Sequence, residues 1–372
     1  MGLLGILLGL ILLMGLAFRG WSVILLAPLA AAIAALAAGE PLLAHWTQTF
    51  MGSAARFIAQ FFPLFLLGAL FGKLMEDTGS VGTIASFMTS RLGVQRAILA
   101  VVLAGALVTY GGVSLFVAFF VLAPMAQALF RDAGIPHRLI PAAIALGTST
   151  FTMSAMPGTP AIQNAIPMPF FGTNTFAAPG LGIIAGLFMF TFGQFWLNRR
   201  VAQARARGEG YGDHEDALAA GADNGMPSFW LALLPIVVVI ALNYVATSYV
   251  IPAMDTSYLA TAKFKSTPLS AVLGIWAIIL AMLVAIVLVA LLNRTRITNL
   301  LDTFNKGTMG SLLPMANVAS EVAYGAVIAS LAAFAIVREG LKSVASDPVT
   351  SLFIVVRSEE RRVGKECLRL CR

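Results

Sequence analysis

The chain is 372 residues long, 59% hydrophobic and only 11% charged, with a formal net charge of +7 and a mean hydropathy of +0.88. Apolar runs of about 20 residues recur along its length, which predicts an all-α polytopic membrane protein and excludes a soluble globular one; the alternating short strands of a β-barrel are not visible. The basic residues cluster in loops between the runs, the pattern of cytoplasmic loops beside anionic lipid, so the positive charge implies membrane lipid as a partner and not nucleic acid.

Taken in order, the first span covers about 2–18 and is closed by Arg19-Gly20; the second covers about 21–38 and is closed by Gly39-Glu40-Pro41. No basic residue precedes the first apolar run and no cleavage site with a soluble domain follows it, so it reads as a retained span and not a signal peptide. Residues 42–53 read as interfacial, with Trp46 as a headgroup anchor. A third span, about 54–75, ends beside Lys73, Glu76 and Asp77, acids expected to be solvated near that lysine. Residues 79–93 read as a short, mildly amphipathic connection.

The 34 residues 97–130 carry no charge. Two full crossings would need about 40 residues plus a turn. Their middle, Thr109-Tyr110-Gly111-Gly112-Val113-Ser114, is a breaker, which leaves two arms of about 13 to 16 residues, or roughly 20–24 Å of helix each. We therefore expect a re-entrant hairpin that returns to the side it entered from, with Arg91 and Arg96 before it and Arg131 and Arg138 after it.

Residues 139–171 begin and end as membrane-like sequence, but their centre carries Gly147-Thr148-Ser149-Thr150, Thr152, Ser154, Pro157-Gly158-Thr159-Pro160, Gln163 and Asn164. Irregular backbone at membrane depth is tolerated only where protein buries it or it lines a cavity. In secondary transporters such a broken helix marks the substrate site. A span at 177–198 follows, then an aqueous loop, 198–226, whose Arg199, Arg200, Arg205 and Arg207 mark it as cytoplasmic. Spans at about 227–250 and 269–292, a second basic loop with Arg294, Arg296 and Lys306, and a segment 308–337 with Asn317, Ser320, Glu321 and Tyr324 complete the body. Counting crossings from the 198–226 loop puts the other arginine-bearing loops on the cytoplasmic side, with Lys263 and Lys265 as exceptions.

The segment 61–92 resembles 312–341: each has an apolar pair followed by proline, a polar middle and a stretch of small residues, and the two would cross in opposite directions. That inversion is the pattern of an inverted-repeat transporter. The expected organisation is thus a first transmembrane half at 1–197, the cytoplasmic loop, and a second half at 227–356 that is incomplete, because the second hairpin and second broken helix do not follow. The final RSEERRVGKECLRLCR, residues 357–372, would start outside with six basic residues, against the positive-inside rule, and reads as a non-native tail on a truncated chain. It also holds both cysteines, Cys367 and Cys371, so neither disulfides nor cysteine-bound metal supports the membrane body.

Two helix starts point at one place. Ser114 is expected to cap the helix after the hairpin tip, and Thr159, with Pro160 in the first turn, to cap the helix after the break. Helix N-termini offer free N–H groups and positive dipole ends, a receptor for an anion without buried Arg or Lys. Candidate substrate contacts are Thr109, Gly111, Gly112, Ser114, Ser149, Thr150, Thr152, Gly158, Thr159, Gln163, Asn164 and Asn317. A polyhydroxylated carboxylate suits that inventory. Close helix packing is the alternative role for the Ser/Thr cluster. Glu321 is the acid within a span and the candidate for proton coupling, or else a structural partner of a nearby base; His137 reads as a loop residue. No phosphate loop, metal-ligand spacing or Ser/His/Asp arrangement is visible, so neither a cofactor, a metal nor an enzymatic activity is expected.

The segments TYGGVSLFVAFFVLAPMAQAL, ALGTSTFTMSAMPGTPAIQN and LLPMANVASEVAYGAVIASL resemble the gluconate:proton symporter (GntP) family of the ion transporter superfamily. The likeness runs over about 1–350. It implies uptake of gluconate or a related hydroxy acid across a bacterial cytoplasmic membrane by a homodimer with elevator-like motion. Some relatives carry 3-hydroxybutyrate or other organic anions. Relatives that couple to sodium have Ser-Asn-Thr at the hairpin tip; Tyr110-Gly111-Gly112-Val113-Ser114 stands there in this chain, which points to protons. A second hairpin would supply half the site. A channel or scaffold without coupled transport is the reading from another class, separated by whether uptake saturates and follows a pH gradient.

Overall fold

A computed structural model describes residues 1–113, 115–212 and 226–344. Ser114, the middle of the aqueous loop and the tail from 345 onward, with its expected foreign end, lie outside the described residues. Every regular element among the described residues is helical. With no water in the bilayer core, backbone groups must pair within their own segment, and an apolar chain meets that condition as helices.

In chain order the elements are α1 (Gly2–Ala17), α2 (Val23–Ala38), α3 (Leu42–Asp77), α4 (Ser80–Leu92), α5 (Ala97–Tyr110), α6 (Leu115–Asp132) and α7 (Ile140–Thr148). Three single turns follow: α8 (Phe151–Ser154), α9 (Ile162–Ala165) and α10 (Met168–Phe171). The remainder is α11 (Pro179–Ala206), α12 (Phe229–Ala253), α13 (Leu269–Leu292), α14 (Leu300–Ser330) and α15 (Ala332–Val344). By length and composition α3, α11, α12, α13 and α14 can each cross a membrane, and the chain is a multi-pass membrane protein.

Several boundaries differ from the sequence expectation. Residues 42–53 are not a separate interfacial piece: they form the start of the 36-residue α3, with π-helical geometry over His45–Phe50. The connection at 79–93 is a 13-residue helix, α4, bent by 108° from the helical stretch Val94–Tyr110. Its Val81, Ile84 and Ala85 are buried, so its apolar face serves the core. α1 and α2 have 16 residues each, or about 24 Å at 1.5 Å per residue, short of the roughly 30 Å hydrocarbon core. α11 runs nine residues into the expected aqueous loop, through Ala206, and carries Arg199, Arg200 and Arg205 on helix.

Two compact units divide the described chain within α3 and within α14: one holds 1–65 and 310–344, the other 66–309. In the first, α1 and α2 pack so closely that a Cβ on Gly9 would lie 2.7 Å from the Ala30 carbonyl oxygen. Ile6, Ala34, Ile328 and Leu331 form a core there, with Tyr324 against it. In the second, α5 and α6 pack on one another as a hairpin, α7 lies against both, and α4 packs on α5, α6 and α12. Phe87 of α4 stacks on Phe229 of α12 with centroids 3.8 Å apart. The ends of α3 and α14 are tied by polar groups: Lys73 Nζ lies 2.8 Å from Asp77 Oδ1 and 3.3 Å from Glu76, and Thr303 donates to Asp77 Oδ2 at 2.7 Å.

The two segments expected to repeat share an element pattern. Pro63 lies inside α3 and Pro314 inside α14, and a 13-residue helix follows each.

Candidate functional site

The second unit brings the hairpin tip and the broken helix together. α7 stops at Thr148, where the chain kinks through Ser149 and Thr150. After the single turn α8, residues 155–161 are irregular, and α9 begins at Ile162. The break is therefore longer than expected, and the expected helix start at Thr159-Pro160 is corrected. The cap position is Ala161, and the helix is one four-residue turn. Thr159 instead accepts at Oγ1 from the Ala161 amide at 3.3 Å, which shapes the loop before that turn. A single turn has little dipole to offer, because the macrodipole sums over aligned peptides.

At the hairpin tip, Tyr110 ends α5 and donates its hydroxyl to the Pro157 carbonyl at 2.6 Å. Gly112 has φ +90, and a Cβ there would lie 2.7 Å from Pro160 Cγ and 2.7 Å from Met282 Cε of α13. Only glycine suits that backbone and that clearance. A Cβ on Gly111 would lie 2.6 Å from Ile236 of α12. The two breaks thus touch at Tyr110–Pro157 and Gly112–Pro160, between α12 and α13.

Gly158 is the pivot of the opposing loop. It has φ +84, and a Cβ would meet the Phe176 ring at 2.6 Å. Its amide donates to Thr175 O at 2.7 Å, and its carbonyl accepts from Asn243 Nδ2 at 3.1 Å. Asn243 is fully buried on α12 and also donates to Thr175 Oγ1 at 3.0 Å, while Thr247 reaches its Oδ1 at 3.5 Å. Asn164 Nδ2 donates to Thr159 O at 3.0 Å and Thr175 O at 3.3 Å. Asn243 and Thr175 were not among the candidate residues. The signal for Asn243 was present: one amide inside the otherwise apolar run 229–245.

The hydroxyl cluster divides in two. Thr109, Thr148 and Thr152 are buried and spend their hydroxyls internally. Thr109 donates to Gly105 O at 2.8 Å, Thr148 to Ile144 O at 2.8 Å and Thr152 to Gly147 O at 3.0 Å, and the Oγ1 atoms of Thr109 and Thr152 lie 3.2 Å apart. They sit where α7 crosses α5 at very short range: a Cβ on Gly147 would lie 2.3 Å from Val102 O. For these three, helix packing is the observed role. Ser149 and Thr150, at the kink, are half-buried; Ser149 Oγ lies 3.1 Å from Thr148 Oγ1 and Thr150 donates to Leu146 O at 2.7 Å. Gln163 is exposed on α9.

Asn317 and Glu321 belong to α14 in the other unit. Asn317 is half-buried, and its Oδ1 has no hydrogen-bond partner. Glu321 is exposed.

The charge environment of the junction is uniform. Stretches 97–130, 139–198, 229–254 and 269–293 hold no Asp, Glu, Lys, Arg or His. An anion among these stretches meets only their neutral donors. Val113 and Thr159 are buried, at 2% and 0% exposure, and their amides have no acceptor among the described residues. Buried backbone N–H groups are almost always paired, so two unpaired amides on adjoining tips stand out.

Comparison with known proteins identifies the family. A family model described as GntP family permease matches residues 1–345. The chain is 40% identical over 366 residues to an uncharacterized transporter, YxjC, of Bacillus subtilis (strain 168), covering 94% of this chain and 78% of that protein. It is 31% identical over 162 residues to the high-affinity gluconate transporter of Escherichia coli (strain K12), covering 42% of this chain and 35% of that one. No solved structure matches. With the match running through both breaks and nearly the whole described chain, this protein belongs to the GntP permease family.

Proposed function

We propose that this protein takes up gluconate or a related small hydroxy-carboxylate by symport with protons across a bacterial cytoplasmic membrane. The observation that carries the reading is the junction of the two breaks. The stretches that meet there carry no charged side chain, α12 and α13 wall it, and it holds the unpaired amides of Val113 and Thr159. A carboxylate fits such a pair of main-chain donors, since backbone N–H groups serve as anion ligands where no cation is at hand. Ser149, Thr150, Gln163 and the free carbonyl end of Asn164 supply partners for substrate hydroxyls. The similarity to a high-affinity gluconate transporter supports this class of substrate. Glu321 on α14 takes the role of the proton carrier, and the protein works as a homodimer. Uptake of 3-hydroxybutyrate or another organic anion is the nearest variant of this reading.

The test is radiolabelled gluconate uptake into proteoliposomes, with an inward proton gradient and again with an uncoupler. Saturable uptake that collapses with the uncoupler is the expected result. Glu321→Gln should then abolish gradient-driven accumulation while leaving gluconate counterflow. Dominant competition by 3-hydroxybutyrate would change the substrate and keep the mechanism. Non-saturating flux that ignores the gradient would replace a symporter with a channel.

A further inference from the structure

A second polar site lies at the arginine-rich end of the 66–309 unit. It is an open cavity of about 480 Å³, lined by Gln95, Arg96, Gln194, Asn198 and Arg205 together with the apolar Leu99 and Val201. That volume is within the roughly 300–1,000 Å³ of small-ligand sites. The lining contains two arginines and no acid. The Arg96 guanidinium has no hydrogen-bond or ion-pair partner among the described residues. Arg205 gives one Nη2 hydrogen to Ala133 O at 3.2 Å. Gln194 donates to Asn198 Oδ1 at 3.3 Å, while its own Oε1 is buried without a partner.

The cavity opens beside α11, the least buried of the long apolar helices. Ile183 and Leu187, which helical spacing puts on the same side as Gln194 and Asn198, are exposed along that helix. Arg200 lies 4.7 Å over the Trp196 ring, the pairing of an aromatic and a base found at the headgroup level. A charged pocket thus continues into an apolar wall, and the two together match one amphiphile.

We propose that this cavity holds the phosphodiester of an anionic phospholipid, with Arg96 and Arg205 on the phosphate, Gln95, Gln194 and Asn198 on the headgroup hydroxyls, and the acyl chains along α11. Basic pockets between transmembrane helices on the cytoplasmic side favour anionic headgroups, and guanidinium forks suit phosphate oxygens. The site is separate from the junction of the two breaks and does not depend on what is transported.

Native mass spectrometry of the full chain in detergent, titrated with phosphatidylglycerol or phosphatidylcholine, tests it. Phosphatidylglycerol should bind at least about tenfold more tightly. Arg96→Gln with Arg205→Gln should reduce that affinity by about thirtyfold, at about fivefold for each base near an anionic headgroup. Arg96→Lys with Arg205→Lys should keep most of it and serves as the check that the fold survives, and Lys263→Gln in the α12–α13 loop should change nothing. Equal binding of both lipids, or an unchanged affinity in the Gln pair, would overturn the proposal. So would full competition by inorganic phosphate or glycerol phosphate, which would make the ligand a free anion.

Discussion

Tyr110 donates its hydroxyl to the carbonyl oxygen of Pro157 at 2.6 Å, fastening the last residue of α5 to the irregular segment after α8. The proline that follows Gly158 and Thr159 lies against Gly112 at the same tip. One side-chain bond and one glycine contact therefore hold two non-helical segments together, where backbone without a partner would be costly.

Tyr110→Phe removes the donor and leaves the Pro157 carbonyl unpaired while keeping the ring. The expected loss is about 1–3 kcal/mol of stability, the cost of an orphaned acceptor. Thermal unfolding in detergent should show a lower midpoint, and transport should fall with KM rising more than the maximum rate drops.

Gly112→Ala and Gly158→Ala each place a methyl group on left-handed backbone and against a neighbour, Pro160 and Met282 for the first and Phe176 for the second. Left-handed strain alone costs about 1–3 kcal/mol at a non-glycine residue. Both variants should reach the membrane at reduced level and lose transport. Gly310→Ala, where a Cβ meets nothing within 4 Å, should behave as wild type in the same uptake assay.

Asn243→Leu should be among the most damaging single changes in α12. It strands the Gly158 carbonyl and the Thr175 hydroxyl together, in a fully buried place. Each stranded group costs about 1–3 kcal/mol. Asn243→Asp removes the donor without changing the shape and should fare no better. Protease resistance and uptake, measured on the same preparations, check whether stability and transport fall together.

The Arg138–Glu209 pair makes a prediction in pH. Arg138 Nε donates to Glu209 Oε1 at 2.6 Å and Nη2 to Oε2 at 2.8 Å, both outside the membrane spans. The hydrogen bonds between them hold the Glu209 carboxyl below its usual range and raise the arginine further above its own. A depressed carboxyl contributes to the folded state above its ordinary value and loses that contribution as pH falls through the depressed one. Hydrogen exchange in residues 204–212, corrected for the intrinsic rate, should stay flat from pH 7 to about 5 and rise below the ordinary glutamate range. Glu209→Gln should show the faster exchange already at pH 7.

Much of the arrangement was legible in the residues alone. Apolar run length and the absence of charge identified the spans, because a bilayer leaves the backbone no choice but helix. Gly111-Gly112 and the Pro157–Pro160 run announced the two breaks, because glycine and proline act on their own backbone. Other features needed the third dimension. Whether a threonine meets ligand or helix depends on what crosses it: Thr152 turned inward because Gly147 lets α7 come onto Val102, while Ser149, three residues earlier, stayed half-buried at the kink. Asn243 could be seen as an odd amide in an apolar helix, but its partners, Gly158 and Thr175, are 85 and 68 residues away. The start of α9 moved past Thr159-Pro160 because Thr175 and Asn164 hold that loop extended, and no local cap signal carries such a constraint. Local chemistry thus determined where this chain crosses the membrane and where it breaks; only the packing of distant segments decided which polar groups those breaks keep free.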